Sequence, residues 1–212
     1  MAYLYLALGD SITAGYGVGP ANSFASVYYR FLQRNLPGLH YQNFGINGLR
    51  SSDLTNWLAV DAGLAQRVAA SSVITLTIGS NDLIHLLRVF AGDLAPVAPA
   101  ADVQLKDNVA RVAYYIRRLN SQALVQAAAI YNPFSARDYP AFRTGAQPVI
   151  DLANAALRSV CKEAGFAFVG ADRAFCGQEN LVLDPVHLHP NFHGHRVLAA
   201  AFAASTQAGH IG

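Results

Sequence analysis

Charged side chains are scarce in this chain of 212 residues: they make up 13% of it, with a formal net charge of +2, while hydrophobic residues make up 53%. That balance excludes a disordered polymer, which cannot bury enough apolar surface to offset its chain entropy. It gives no sign of the dense basic patch with which proteins grip nucleic acid or anionic lipid. Cysteine is nearly absent. Cys161 and Cys176 form neither a disulfide framework nor a metal-ligand spacing; they read as structural thiols, and whether they pair is open. No apolar run is long enough to span a bilayer, so no integral membrane contact is expected. The N-terminal residues lack a basic region and a small-residue cleavage site; they read as a core strand, and a cytoplasmic location is the expectation. No repeat and no Pro/Gly/Ser-rich linker interrupts the chain, so residues 1–212 are expected to form a single domain. Its oligomeric state has no signature in the sequence.

What is present is an alternation. Short, β-rich apolar runs at Tyr3 to Leu8, Leu39 to Phe44, Val73 to Ile78, Ala123 to Ile130 and Phe166 to Val169 read as parallel strands buried on both faces. Between them run helical patterns. One is capped by Asn22 and extends from Ser23 to about Leu36, and a second is capped by Asp102 and ends at Leu119. A third runs from Val149 to Ala164 and stops at Gly165, and the last, capped by Asn191, runs from Phe192 to about Ala204. The alternation predicts a three-layer α/β fold with right-handed crossovers. Two long loops, Tyr131 to Pro148 and Gly170 to Pro190, follow strands and should lie at the carboxyl edge, where open α/β sheets place their sites. The proline-broken stretch "FAGDLAPVAPA" reads as a flap.

Chemistry-bearing residues recur at the strand ends. Ser11 follows the first strand in "GDSITAGYG", and "NFGINGLRSSDL" follows the second. "IGSND", with Asn81 and Asp82, follows the third, and "DPVHLHPNFHGH" precedes the last helix. A strand-end serine is ordinarily a turn or capping residue. In this company it matches the needs of acyl transfer. A serine hydroxyl needs a histidine base, that histidine needs a carboxylate, and the tetrahedral intermediate needs preorganised donors. Asp10 reads as a turn residue and Asp82 as a cap or local support. His193 and His195 fall on the last helix, where packing or exposure is the simpler role.

These four blocks, in this order, resemble those of the SGNH or GDSL-type esterases and lipases over nearly the whole chain. The resemblance implies a flavodoxin-like α/β/α sandwich on a five-stranded parallel sheet. It makes Ser11 the nucleophile, with the Ser11 N–H, the Gly48 N–H and the Asn81 side chain as oxyanion donors. Asp184 is the implied acid. The base is ambiguous: counting forward from Asp184 selects His187, and counting back from Gly194 selects His189. The helix start at Asn191 is the firmer anchor and favours His189, with the loop two residues longer than the family pattern. No cofactor and no metal are implied. The expected partner is a small ester, with short-chain acyl or acetyl esters first and lysophospholipid, thioester or acetylated sugar as alternatives. Ile12, Leu49 and Phe134, with Tyr139 and Phe142, are the candidates for substrate contact.

A competing reading is a non-catalytic flavodoxin- or Rossmann-like binding module, suggested by the glycines of "GYGVG". It lacks both phosphate-binding fingerprints and leaves Asn81, Asp184 and the histidines unexplained. The G-x-S-x-G elbow of the α/β-hydrolase fold is absent as well.

Overall fold

The computed structural model describes residues 3–184 and 189–208. They form a five-stranded, all-parallel sheet with strands β1 (Leu4–Gly9), β2 (His40–Gly45), β3 (Val73–Thr77), β4 (Leu124–Ala128) and β5 (Ala167–Val169) in the order β2-β1-β3-β4-β5. The short helix α1 (Ser11–Ala14) and then α2 (Phe24–Leu32) link β1 to β2; α3 (Ser51–Val60) and α4 (Ala62–Ala70) link β2 to β3. Helices α5 (Ser80–Val89) and α6 (Val97–Leu119) lead to β4, and α7 (Pro140–Ala164) leads to β5. Short helices α8 (Ala171–Phe175) and α9 (Glu179–Val182) precede α10 (Phe192–Ala208). None of the helices among the described residues is long and apolar enough to cross a membrane.

Strand periodicity divides the core. Side chains alternate across a strand, so Leu6 and Leu8 of β1 face one layer and Tyr5 and Ala7 the other. The first layer packs Leu54, Leu64, Leu105, Val109 and Leu157 of α3, α4, α6 and α7 against the sheet. The second packs Phe24 and Tyr28 of α2, Phe175 of α8 and Phe202 of α10. This is the three-layer sandwich. Within it Gln126, fully buried on β4, accepts from the Tyr28 hydroxyl at 2.7 Å and donates to the Phe202 carbonyl at 2.9 Å. Its amide is satisfied, so it joins β4 to α2 and α10 without a burial penalty.

Helix boundaries differ from the sequence reading for local reasons. Ser23, not Asn22, caps α2: its hydroxyl accepts from the Ser26 N–H, while the Asn22 amide turns back to the Val18 carbonyl. Helix α6 begins before Asp102, and α7 starts at Pro140, where a proline costs nothing because the first N–H of a helix has no partner. Pro148 sits inside α7, so the loop after β4 is shorter than its prolines suggest. The stretch read as a flap forms the turn between α5 and α6, with Gly92 at φ 88°, and from Val97 onward the start of α6.

Candidate active site

Gly9 pairs with Gly45 on one side and Thr77 on the other, so β1, β2 and β3 end level. Residues remote in sequence therefore meet above one edge. Asp10 stands at the junction, almost fully buried. Its carboxylate caps α1 by accepting from the Ile12 N–H at 3.0 Å and also accepts from the Thr77 hydroxyl at 2.9 Å. Burial, only partly offset by those bonds, pushes its pKa up to about 6. Asp10 is thus the post that fixes the turn, and Ser11 is the first residue of α1.

The Ser11 hydroxyl lies 2.9 Å from Nε2 of His189. Tyr16, on the loop after α1, lays its ring over the imidazole, with centroids 4.7 Å apart. His189 is held in this position by backbone bonds on either side of it. Asn191 N–H donates to the Val182 carbonyl at 2.9 Å, Leu183 bridges Pro190 in antiparallel fashion, and Asp184 N–H donates to the His189 carbonyl at 2.7 Å. Asp184 and His189 therefore stand opposite each other. Asn191 Oδ1 accepts from the Gly194 N–H at 3.0 Å, the cap that starts α10. His187 lies outside the described residues.

The second block forms a turn closed by the Leu49 N–H on the Ile46 carbonyl, with Gly48 at φ 81°, a backbone state that favours glycine. Gly45 serves a different need: a Cβ there would lie 2.2 Å from the Ala14 nitrogen, so only glycine lets β2 end against α1. Two neighbours from the third block hold the turn. Asn81 Nδ2 donates to the Leu49 carbonyl at 3.1 Å. Asp82 accepts from both the Ser51 N–H, at 3.0 Å, and the Ser51 hydroxyl, at 2.5 Å; burial is the main influence on its carboxyl and raises its pKa.

His195 is buried on α10, and its Nδ1 accepts the otherwise orphaned N–H of Phe24 at the start of α2. Desolvation, with His189 nearby, lowers its pKa to about 4, so it is a neutral packing residue, whereas His193 is exposed. Cys161 is buried and Cys176 exposed, both as free thiols. Among the described residues no three His, Cys, Asp or Glu side chains group as they do around a metal ion.

Ser11, Asn81 and His189 open onto a cavity of about 300 Å³. Ile12 and Phe134 line it. Leu49 is buried in the core beneath the second block, and Tyr139 and Phe142 are exposed around Phe134, Phe142 stacking on it at 5.5 Å. Most of the wall comes from residues outside those candidates. These are Leu83, Ile84 and Leu87 on α5, at i, i+1, i+4, and Ala146, Val149 and Ile150 on α7, at i, i+3, i+4, two one-sided stripes that helical periodicity would reveal.

A parallel α/β sheet with a serine–histidine contact above its carboxyl edge has the form of a hydrolase. A sequence profile of the GDSL-like Lipase/Acylhydrolase family matches residues 7–197. The chain is similar to the spore germination lipase LipC of Bacillus licheniformis, 25% identical over 219 residues and covering 97% of each protein. Its fold is similar to that of the lipase Lip_vut3 from a goat rumen metagenome (TM-score 0.83, 24% identity, 96% of this chain and 97% of that one). It is also similar to that of the acetyl xylan esterase Axe2 of Geobacillus stearothermophilus (TM-score 0.68, 20% identity, 96% and 94%). The chain belongs to the GDSL-like lipase/acylhydrolase family and is a carboxylic ester hydrolase.

Proposed function

We propose that the protein hydrolyses small carboxylic esters through an acyl-enzyme on Ser11, with His189 as general base and Asp184 as its carboxylate partner. The observation that carries this reading is the 2.9 Å contact between Ser11 Oγ and His189 Nε2. A base must reach the proton that it removes, and this one does. The cross-strand register of Asp184 and His189 supports the same pair.

Ser11 Oγ attacks the ester carbonyl and passes its proton to His189, so an Oγ–C bond forms while the carbonyl electrons move onto oxygen. That oxyanion takes hydrogen bonds from the Ser11 and Gly48 N–H groups and from Asn81. Asn81 suits the task because an amide nitrogen carries two hydrogens, and the bond to Leu49 uses one and fixes its plane. Collapse breaks the bond to the alcohol oxygen, which receives the proton from the imidazolium. Water, deprotonated by the same histidine, then releases the acid and restores Ser11. The test is release of nitrophenol from a nitrophenyl ester. Turnover should fall by at least ~10³-fold in Ser11→Ala; a variant with unchanged kcat removes Ser11 from the chemistry.

A further inference from the structure

We infer that the acyl group this enzyme takes is a linear chain of medium length, about eight to ten carbons, and not acetyl. This rests on the Ser11 reading, because it assigns the cavity beside Ser11 to the acyl half of the ester.

The polarity of the cavity is one-sided. Asp10, Ser11, Ser80, Asn81 and His189 all sit where the strands end. Away from that edge the wall is hydrocarbon apart from Tyr131. Ser80 begins α5, and Leu83, Ile84 and Leu87 follow on one face. From Asn81 to Leu87 the helix advances about 9 Å at its usual rise, so the apolar wall continues well past the nucleophile. Leu94 and Val97, from the turn before α6 and its first residue, and Val149 of α7 continue it.

Apart from the Tyr131 hydroxyl, such a wall offers no partner to a sugar hydroxyl or a phosphate, and burying either without a hydrogen bond is costly. It suits methylene groups. If a methylene needs roughly the volume of a liquid water, about 30 Å³, the cavity holds a chain on the order of ten carbons. An acetyl group would leave most of it empty. The alcohol has a different surrounding. It must leave on the imidazole side, where Tyr16, 39% exposed, covers His189 and does not line the cavity. The apolar cleft is therefore for the acyl chain and the Tyr16 side for the alcohol.

Two side chains should set the length. Ala146 is the smallest residue of the α7 stripe, so a larger one there fills the cavity; Leu87 lies farthest along α5, so a smaller one there extends it. The test is kcat/KM for nitrophenyl acetate, butyrate, octanoate, decanoate and palmitate below their micelle concentrations. Each buried methylene is worth up to about fourfold, so the profile should peak at octanoate or decanoate, at least tenfold above acetate. Ala146→Phe should lower the octanoate-to-acetate ratio at least tenfold, and Leu87→Ala should move the peak to longer chains. A flat profile, or one that is highest at acetate, overturns the proposal, as does an unmoved ratio in both variants. A reading separate from catalysis comes from Ser11→Ala: decanoic acid should raise its melting temperature and acetate at equal concentration should not. If Ser11→Ala still turns over esters but melts higher with decanoate, the nucleophile assignment fails and the chain-binding cavity stands. If Ser11→Ala is inactive and decanoate has no effect, the cavity assignment fails alone.

Discussion

Asp184 and His189 are paired through the backbone, with the Asp184 N–H donating to the His189 carbonyl at 2.7 Å. That backbone bond holds the two residues side by side, and Ser11 Oγ lies 2.9 Å from Nε2 of His189. In the proposed mechanism, replacing His189 by alanine should lower kcat by about 10⁴-fold or more, while His187→Ala should cost less than tenfold. Parallel kcat measurements on the two variants check this; a larger loss in His187→Ala reverses the assignment.

In the proposed mechanism Asn81, tied to the second block by its bond to the Leu49 carbonyl, is an oxyanion donor. Asn81→Ala should lower kcat by about 10²- to 10³-fold, with KM changing far less, because the donor acts mainly on the transition state. Steady-state kinetics on a nitrophenyl ester separates the two parameters.

The glycines of the second block should differ in stability. Gly45→Ala puts a methyl group 2.2 Å from the Ala14 nitrogen and should cost more than ~2 kcal/mol by forcing β2 away from α1. Gly48→Ala meets open space and pays only for its positive φ, about 1 kcal/mol. Urea unfolding midpoints should rank the two in that order.

Two buried groups should oppose each other in the pH dependence of stability. Asp10 has a folded pKa raised to about 6, so the folded state holds its proton more tightly and stability falls as pH rises from about 4 to 6. His195 has a folded pKa lowered to about 4, so the unfolded state takes up the proton first and stability is lost as pH falls from about 6.5 to 4. In the wild type the two largely cancel. Asp10→Asn should leave a protein that gains stability with pH across this window, and His195→Asn one that loses it. Urea midpoints at pH 4.5 and 6.5 measure both slopes.

Arg143 of α7 ties the cavity wall to α9. Its guanidinium donates to Glu179 at 2.6 Å and to the Phe134 carbonyl at 2.9 Å, and the Glu179 side chain is only 7% exposed. Arg143→Ala leaves that carboxylate without its cation and should cost about 2 kcal/mol, less than the ~3–5 of a fully buried pair because Arg143 is partly solvated. Glu179→Gln, which removes the stranded charge, should recover part of the loss in the double variant.

Much of this was legible in the sequence because strands buried on both faces write continuous apolar runs, and because the site residues follow strand ends directly. The position of Asp10 as a turn residue, with Ser11 just after it, needed only the "GDS" order; that its carboxylate caps α1 did not show there. What the sequence hid was set by contacts at a distance. The start of α7 at Pro140 was masked by prolines that read as loop signals, and with it went the Ala146 stripe. Leu94 looked like part of a flap, but it lines the cavity because the turn folds back toward α7. Counting alone left two histidines, and the backbone bond between Asp184 and His189 is a pairing that spacing does not encode.

The central claim is that Ser11 is the residue that becomes acylated. Its most direct test is intact-mass spectrometry after treatment with a fluorophosphonate, followed by peptide mapping. The account predicts one adduct per chain, on Ser11, formed in step with loss of esterase activity. An adduct on another residue with activity lost, or full inactivation with Ser11 unmodified, would contradict it.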